Sequence, residues 1–161
     1  MFHVKQKTYD IIVVGAGHAG VEAATMASRL GCNTALVTFS SEDIGTLSCN
    51  PAMGGLGKGH LVREIDAMGG LIGRASDKSG IQFKVLNKTR GAAVQGPRAQ
   101  IDRNLYKKSM RSLIDVERVD ILFDEVESIC VSKHGVDSLS LKNKGKVLSK
   151  AIIVTTGTFL S

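Results

Sequence analysis

Gly15-Ala16-Gly17-His18-Ala19-Gly20 constrains this chain more than any other segment, because it follows the apolar run Ile11 to Val14 and opens a helical stretch from about His18 to Leu30. The run is short and rich in β-branched residues, as a buried parallel strand requires. Gly31 can end the helix in a left-handed conformation, and Thr34 to Thr38 supply a second strand. In this order of strand, glycine turn, helix and strand, G-x-G-x-x-G reads as a dinucleotide-binding fingerprint. Gly15 permits the tight turn, Gly17 lets a pyrophosphate lie against backbone, and Gly20 lets helix and strand pack closely. The helix start offers N–H groups and partial positive charge to that anion. His18 reads as a helix-start residue without a catalytic duty.

An acid that binds a ribose hydroxyl is expected near the end of the second strand, where the chain runs Leu36-Val37-Thr38-Phe39-Ser40. Glu42 lies further along the loop and is not assigned; Thr38, Ser40 or backbone groups are the alternatives.

Thr46 to Gly70, TLSCNPAMGGLGKGHLVREIDAMGG, reads as an active-site loop. Glycines at 54, 55, 57 and 59 let backbone approach a ligand, and Pro51 biases Asn50 towards an extended conformation that helps aim Cys49. A Walker motif fails on spacing: Ala52 stands where its first glycine belongs, and Gly59 where Ser or Thr should bind magnesium. Lys58, His60 and Arg63 instead open a helix whose Leu61, Ile65 and Met68 form an apolar stripe, expected to be core.

A further helix is expected from Arg98 to about Val116, with Ile101, Leu105, Met110, Leu113 and Ile114 buried and Arg103, Lys107 and Arg111 as a basic ridge. Before it, residues 90–98 read as a loop punctuated by Gly96 and Pro97, with Arg90 and Arg98 as candidate anion ligands. Strands are expected at Val119 to Phe123, Val126 to Val131, Ser138 to Leu141, Val147 to Ser149 and Ala151 to Thr155. A βαβ start, an antiparallel meander and a last apolar strand resemble the FAD domain of glutathione-reductase-like flavoproteins. The fold class is therefore α/β, Rossmann-like with an antiparallel β-meander. A plain NAD domain would keep alternating strands with helices.

With 161 residues there is room for about one domain. The ending, AIIVTTGTFLS, stops where a ligand-binding turn should continue, so residues 1–161 read as the N-terminal part of an FAD-binding domain in a longer protein. Cys32, Cys49 and Cys130 have no metal-ligand spacing and form no closed disulfide set, which favours a reducing cytoplasm. Cys32 and Cys130 read as structural. No metal site, secretory signal or membrane-spanning segment is expected. Residues 58–111 hold twelve Lys or Arg against Glu64, Asp66, Asp77 and Asp102, a local balance of +8. Such a surface attracts RNA or cofactor phosphates, or is simply a solvated basic face.

GAGHAGVEAA, SCNPAMGGLGKGHLVREIDAMGG, GIQFKVLN, GPRAQIDR and TTGTFLS together resemble the tRNA uridine 5-carboxymethylaminomethyl modification enzyme family, the flavin subunit called MnmG or GidA. The resemblance runs over essentially the whole chain, and its members are much longer. It implies a heterotetramer of two flavin subunits and two GTPase subunits that modifies carbon 5 of the wobble uridine in tRNA. FAD and NADH would serve the redox steps, methylene-tetrahydrofolate would supply the one-carbon unit, and glycine or ammonium the amine. Carried over by position, Gly15 to Gly20 would bind the FAD pyrophosphate, and the backbone at Val126 would meet the adenosine end. Cys49 matches the family's N-terminal functional cysteine, and members also tend to lack the acid after the second strand. The flavin subunit would be a homodimer in the cytoplasm.

The chemistry of Cys49 agrees. Uracil carbon 5 becomes nucleophilic once a group adds to carbon 6, and a thiolate adds well and can leave. Loop N–H groups with Lys58 or Arg63 favour the thiolate form, whereas a buried structural thiol is the alternative. Asn50, Lys58, Arg63, Arg90 and Arg98 are candidate substrate or anion ligands. Two other functions stay open: a folate- and FAD-dependent tRNA uracil methyltransferase, and a binding module for FAD or RNA without turnover.

Overall fold

The structure is a computed structural model that describes residues 7–48, 50–133 and 135–157. In chain order its elements are β1 (Thr8–Val14), α1 (His18–Arg29), β2 (Thr34–Thr38), β3 (Ala52–Gly54), α2 (Gly59–Ala67), α3 (Leu71–Ser79), β4 (Gly80–Leu86), β5 (Gly96–Ile101), α4 (Arg103–Ile114), β6 (Val119–Phe123), β7 (Val126–Ser132), β8 (Gly135–Leu141) and β9 (Gly145–Val154). They group into two compact units, residues 1–44 with 117–161, and residues 45–116.

The first unit is a six-stranded sheet in the order β6-β2-β1-β9-β8-β7. β6, β2, β1 and β9 run parallel, with Ile12 beside Ala35 and Ile152, and Val14 beside Val37 and Val154. β8 and β7 add an antiparallel meander. This is the α/β class expected, and the parallel strands need the crossover that α1 supplies between β1 and β2. Tyr9, Ile12, Val14, Ala35, Val37, Leu139, Leu141 and Val147 form the core. α1 buries Gly20, Val21, Ala24, Thr25 and Ala27, small residues that let it lie close to the sheet, and Gly31 follows it at φ +89°.

β9 is one ten-residue strand where two short ones were expected. Lys150 interrupts the apolar run, yet it stays in the strand, its Nζ 2.7 Å from Asp10 Oδ1. At Leu148 the same strand pairs with both β8 and β1, so it joins the meander to the parallel half. Asp124 ties the turn after β8 to the start of β7, accepting from Asn143 Nδ2 at 2.9 Å and Lys144 N at 2.8 Å. Burial pushes its pKa up, but hydrogen bonds from Glu125, Asn143 and Lys144 outweigh burial and hold it below the usual carboxylate range.

The second unit is an antiparallel sheet, β3-β5-β4, with α2, α3 and α4. The expected helix from Arg98 is corrected: residues 96–101 are β5, paired with β3 and β4, and the helix starts at Arg103. Asp102 marks the boundary, its Oδ1 accepting from Leu105 N at 2.8 Å as an N-cap. Ile101 is thus buried from a strand, and Leu105 is 49% exposed rather than core. Met110, Leu113 and Ile114 are buried as expected, with Tyr106 beside them in the core of α4. The expected loop 90–98 contains a 3-10 turn at Ala92–Val94 and the start of β5.

The α2 stripe is also corrected. Leu61 is 51% and Met68 64% exposed, Ile65 is half-buried, and α2 buries no residue in this unit. Its helical periodicity is real, but the apolar face lies outside the local core. α3 and α4 carry the core instead, with Leu71, Ile72 and Ala75 buried on α3.

Candidate functional site

In the first unit the fingerprint forms the turn from β1 into α1. Gly15 takes φ +98°, a left-handed conformation that favours glycine, while its N–H donates to Val37 O at 2.8 Å. Thr155, just after β9, locks the turn from the other side. Its hydroxyl donates to Val14 O at 2.8 Å or Gly15 O at 3.0 Å, and its N–H donates to Val14 O at 2.8 Å. The motif alone does not single out Thr155; the only sequence signal is a threonine at the end of an apolar strand.

Gly17 and Gly20 differ as the fingerprint predicts. A Cβ on Gly20 would stand 1.7 Å from Gly15 O, whereas one on Gly17 would meet nothing within 4 Å. Gly20 is therefore required by packing and Gly17 borders open space. Gly17 is also the N-cap of α1, without a side-chain cap, and the first turn carries no acid. Helix N–H groups and the positive end of the dipole thus meet no carboxylate from the first turn of this helix. Ala16 is buried, His18 half-buried and Ala19 exposed. These residues fit a dinucleotide pyrophosphate.

Beyond β2, Ser40 caps a 3-10 turn over Ser41–Asp43 and forms a capping box with Asp43. Asp43 Oδ2 accepts from Ser40 N at 2.8 Å, Ser40 Oγ at 3.2 Å and Thr38 Oγ1 at 3.3 Å. The hydroxyls considered for the ribose contact are therefore engaged with Asp43, an acid that the fingerprint rule does not single out. Glu42 is exposed. Val126 begins β7 opposite Leu141, with its side chain packed against the sheet core.

The second unit holds the other candidates. Cys49 lies outside the described residues. Asn50 is exposed, and its carbonyl accepts from Ala52 N at 2.7 Å. Gly54, Gly55 and Gly57 all have positive φ, and Gly59 N returns to Gly55 O at 2.9 Å, so the glycine loop is a compact coil leading into α2. Lys58 is the N-cap residue of α2. A cleft of about 680 Å³ opens between α2, α3 and the sheet, lined by Arg63, Arg98, Lys84, Lys88, Asp77 and Phe83 among others. It brings Arg63 and Arg98 together, but Asn50, Lys58 and Arg90 do not line it. Arg90 is exposed in the loop after β4, where its carbonyl accepts from Gln95 Nε2 at 2.9 Å.

Of the expected ridge on α4, Arg103 is exposed, whereas Lys107 and Arg111 are half-buried and two guanidinium nitrogens of Arg111 are shielded from solvent. Cys32 and Cys130 are half-buried and unbridged. Among the described residues there is no group of His, Cys, Asp and Glu suited to a metal, and no helix long and apolar enough to cross a membrane.

The family profile described as glucose inhibited division protein A matches residues 10–161. Over 153 residues the chain is 50% identical to the tRNA uridine 5-carboxymethylaminomethyl modification enzyme MnmG of Dichelobacter nodosus, covering 94% of this chain and 24% of that protein. The enzyme of the same name from Zymomonas mobilis is 48% identical over 158 residues, 98% of this chain and 25% of that protein. The crystal structure of Aquifex aeolicus GidA matches with a TM-score of 0.91 and 45% identity, over 96% of this chain and 26% of that one. The chain spans about a quarter of the length of these relatives.

Proposed function

This chain belongs to the glucose inhibited division protein A family, and on that premise we propose that it is the N-terminal part of the FAD-binding domain of a tRNA wobble-uridine modification enzyme. The observation that carries the proposal is the fingerprint turn: Gly20 leaves no room for a Cβ, and Gly17 borders open space at an uncapped helix start. Gly15 to Gly20 would hold the FAD pyrophosphate, and the backbone at Val126 the adenosine end. FAD would give the site its redox capacity. Asn50, Lys58, Arg63, Arg90 and Arg98 are proposed to hold anionic parts of substrate or cofactor.

Cys49 is proposed as the residue that activates the uracil. Its thiolate adds to carbon 6, forming an S–C bond and pushing an electron pair onto the carbonyl side, which makes carbon 5 nucleophilic. Carbon 5 would then form a C–C bond to the one-carbon unit as that unit's C–N bond to its donor breaks; the carbon 5 proton passes to solvent water, the 5,6 double bond reforms, the S–C bond breaks and the thiolate is regenerated. NADH as reductant, methylene-tetrahydrofolate as one-carbon donor, a GTPase subunit as partner, a homodimeric flavin subunit and a cytoplasmic location complete the proposal.

The test grafts this chain in place of the matching segment of the Dichelobacter nodosus relative and expresses the chimera in cells lacking the wobble modification. Nucleoside digests of tRNA should then contain the carboxymethylaminomethyl base. Appearance of 5-methyluridine instead would favour the folate-dependent methyltransferase, and retained FAD or RNA binding with unmodified tRNA would favour the binding module.

A further inference from the structure

The end of β2 lies beside the fingerprint turn: Val37 O accepts from Gly15 N at 2.8 Å, and Thr38 O accepts from Asp124 N at 2.9 Å. The chain leaves the sheet here at the carboxyl end of its parallel strands, where open α/β folds bind their ligands. A dinucleotide whose pyrophosphate occupies the turn brings its adenosine ribose to this corner, and the sugar hydroxyls need an acceptor. No acid stands at residues 36–40.

The two hydroxyls at the corner are already used as donors. Thr38 Oγ1 donates to Asp43 Oδ2 at 3.3 Å, and Ser40 Oγ donates to the same oxygen at 3.2 Å. Ser40 N completes the set at 2.8 Å, while Ser40 Oγ itself accepts from Glu42 N at 3.2 Å. Three donors thus converge on one oxygen of Asp43. They draw the carboxylate back from the 3-10 turn to the end of the strand and hold it in one orientation.

A carboxylate has about four acceptor positions over its two oxygens. Among the described residues all the hydrogen bonds to the Asp43 side chain fall on Oδ2, which leaves Oδ1 to a donor from outside. The residue is half-buried, whereas Glu42 beside it is exposed. We infer that Asp43 is the ribose-binding acid of this chain, its Oδ1 accepting the 2′-hydroxyl of the adenosine half of the dinucleotide. The capping box brings to the corner, from the loop, the acid that the strand end lacks. This rests on the FAD reading above and adds to it the residue that reads the sugar. A carboxylate in that place also rejects a 2′-phosphate by like charge.

The test frees the same chimera of flavin and follows, by flavin fluorescence, how ADP and 2′-deoxy-ADP displace added FAD. The unsubstituted chimera should bind ADP roughly 10- to 100-fold more tightly than 2′-deoxy-ADP, the effect of one hydrogen bond to a charged group. Asp43→Asn keeps a carbonyl oxygen for the three capping donors but has no charge, so it should reduce that ratio severalfold. It should also bind adenosine 2′,5′-bisphosphate more tightly than the unsubstituted protein does, a gain that a loosened loop does not produce. Equal displacement by ADP and 2′-deoxy-ADP from the unsubstituted chimera would overturn the inference without recourse to any variant. An unchanged ratio in Asp43→Asn would overturn it as well, and in both cases FAD binding leaves the broader reading standing. A chimera that binds no FAD would overturn both.

Discussion

Replacing Gly20 by Ala should loosen the first unit well beyond what replacing Gly17 by Ala does. A methyl on Gly20 would stand 1.7 Å from Gly15 O and 2.6 Å from Thr155 Oγ1. Neither neighbour can step aside, because the Thr155 hydroxyl bonds that same carbonyl at 3.0 Å and the Thr155 N–H holds Val14 O at 2.8 Å. α1 must lift off the turn. Overpacking of a well-filled site costs about 1–3 kcal/mol, and overlap with backbone places this case near 3. Alanine recovers at most about 1 kcal/mol of helix propensity over glycine. The net loss is about 2 kcal/mol, or about 4–8 °C in Tm for a chain of this size. At Gly17 φ is −68° and the added methyl meets nothing within 4 Å, so only the weaker N-cap preference of alanine remains, about 0.5–1 kcal/mol. Urea unfolding of the three chains without flavin, followed by circular dichroism, measures both differences. A Gly20→Ala chain no less stable than Gly17→Ala would refute the packing of α1 on the fingerprint turn.

Cys49→Ser in the chimera should abolish wobble modification while leaving flavin absorbance and tRNA binding intact, since serine is nearly isosteric but a far weaker nucleophile; near-normal nucleoside product would remove the catalytic assignment. Asp124 has a folded pKa below its unfolded value of about 3.9, so its contribution to stability is present above that value and lost as pH falls through the folded pKa. Asp124→Asn should therefore destabilise the chain at neutral pH and flatten the fall in stability below about pH 4, and an unchanged acid profile in urea titrations would contradict this. On α4, Arg103→Gln in the chimera should weaken tRNA binding and reduce its salt slope by about one unit, whereas Arg111→Gln should lower Tm because its guanidinium nitrogens are shielded.

What can be read from the sequence is local or strictly periodic. The turn from β1 into α1 is legible because each glycine has one duty at one spacing, and the meander because strand runs alternate with Gly-containing turns. The region from 71 to 102 is largely illegible. Neither α3 nor the alternation Ile81-Gln82-Phe83-Lys84-Val85 of β4 is among the expected elements. The helix expected from Arg98 begins too early because Ile101 falls in phase with the α4 stripe, while the boundary is set by the capping carboxylate of Asp102. Leu61 and Met68 show a different failure: periodicity reports an apolar face but not what covers it. Thr155 acts on Gly15 from 140 residues away, a contact no local pattern announces.

The central claim, that the fingerprint turn seats FAD, is tested most directly by the ratio of flavin to protein absorbance in the gel-filtered chimera and its Gly17→Leu variant. The account predicts flavin near one per chain in the chimera, and a folded Gly17→Leu variant without it, because the new side chain would fill the open space at the start of α1. Equal flavin in both proteins would contradict the account.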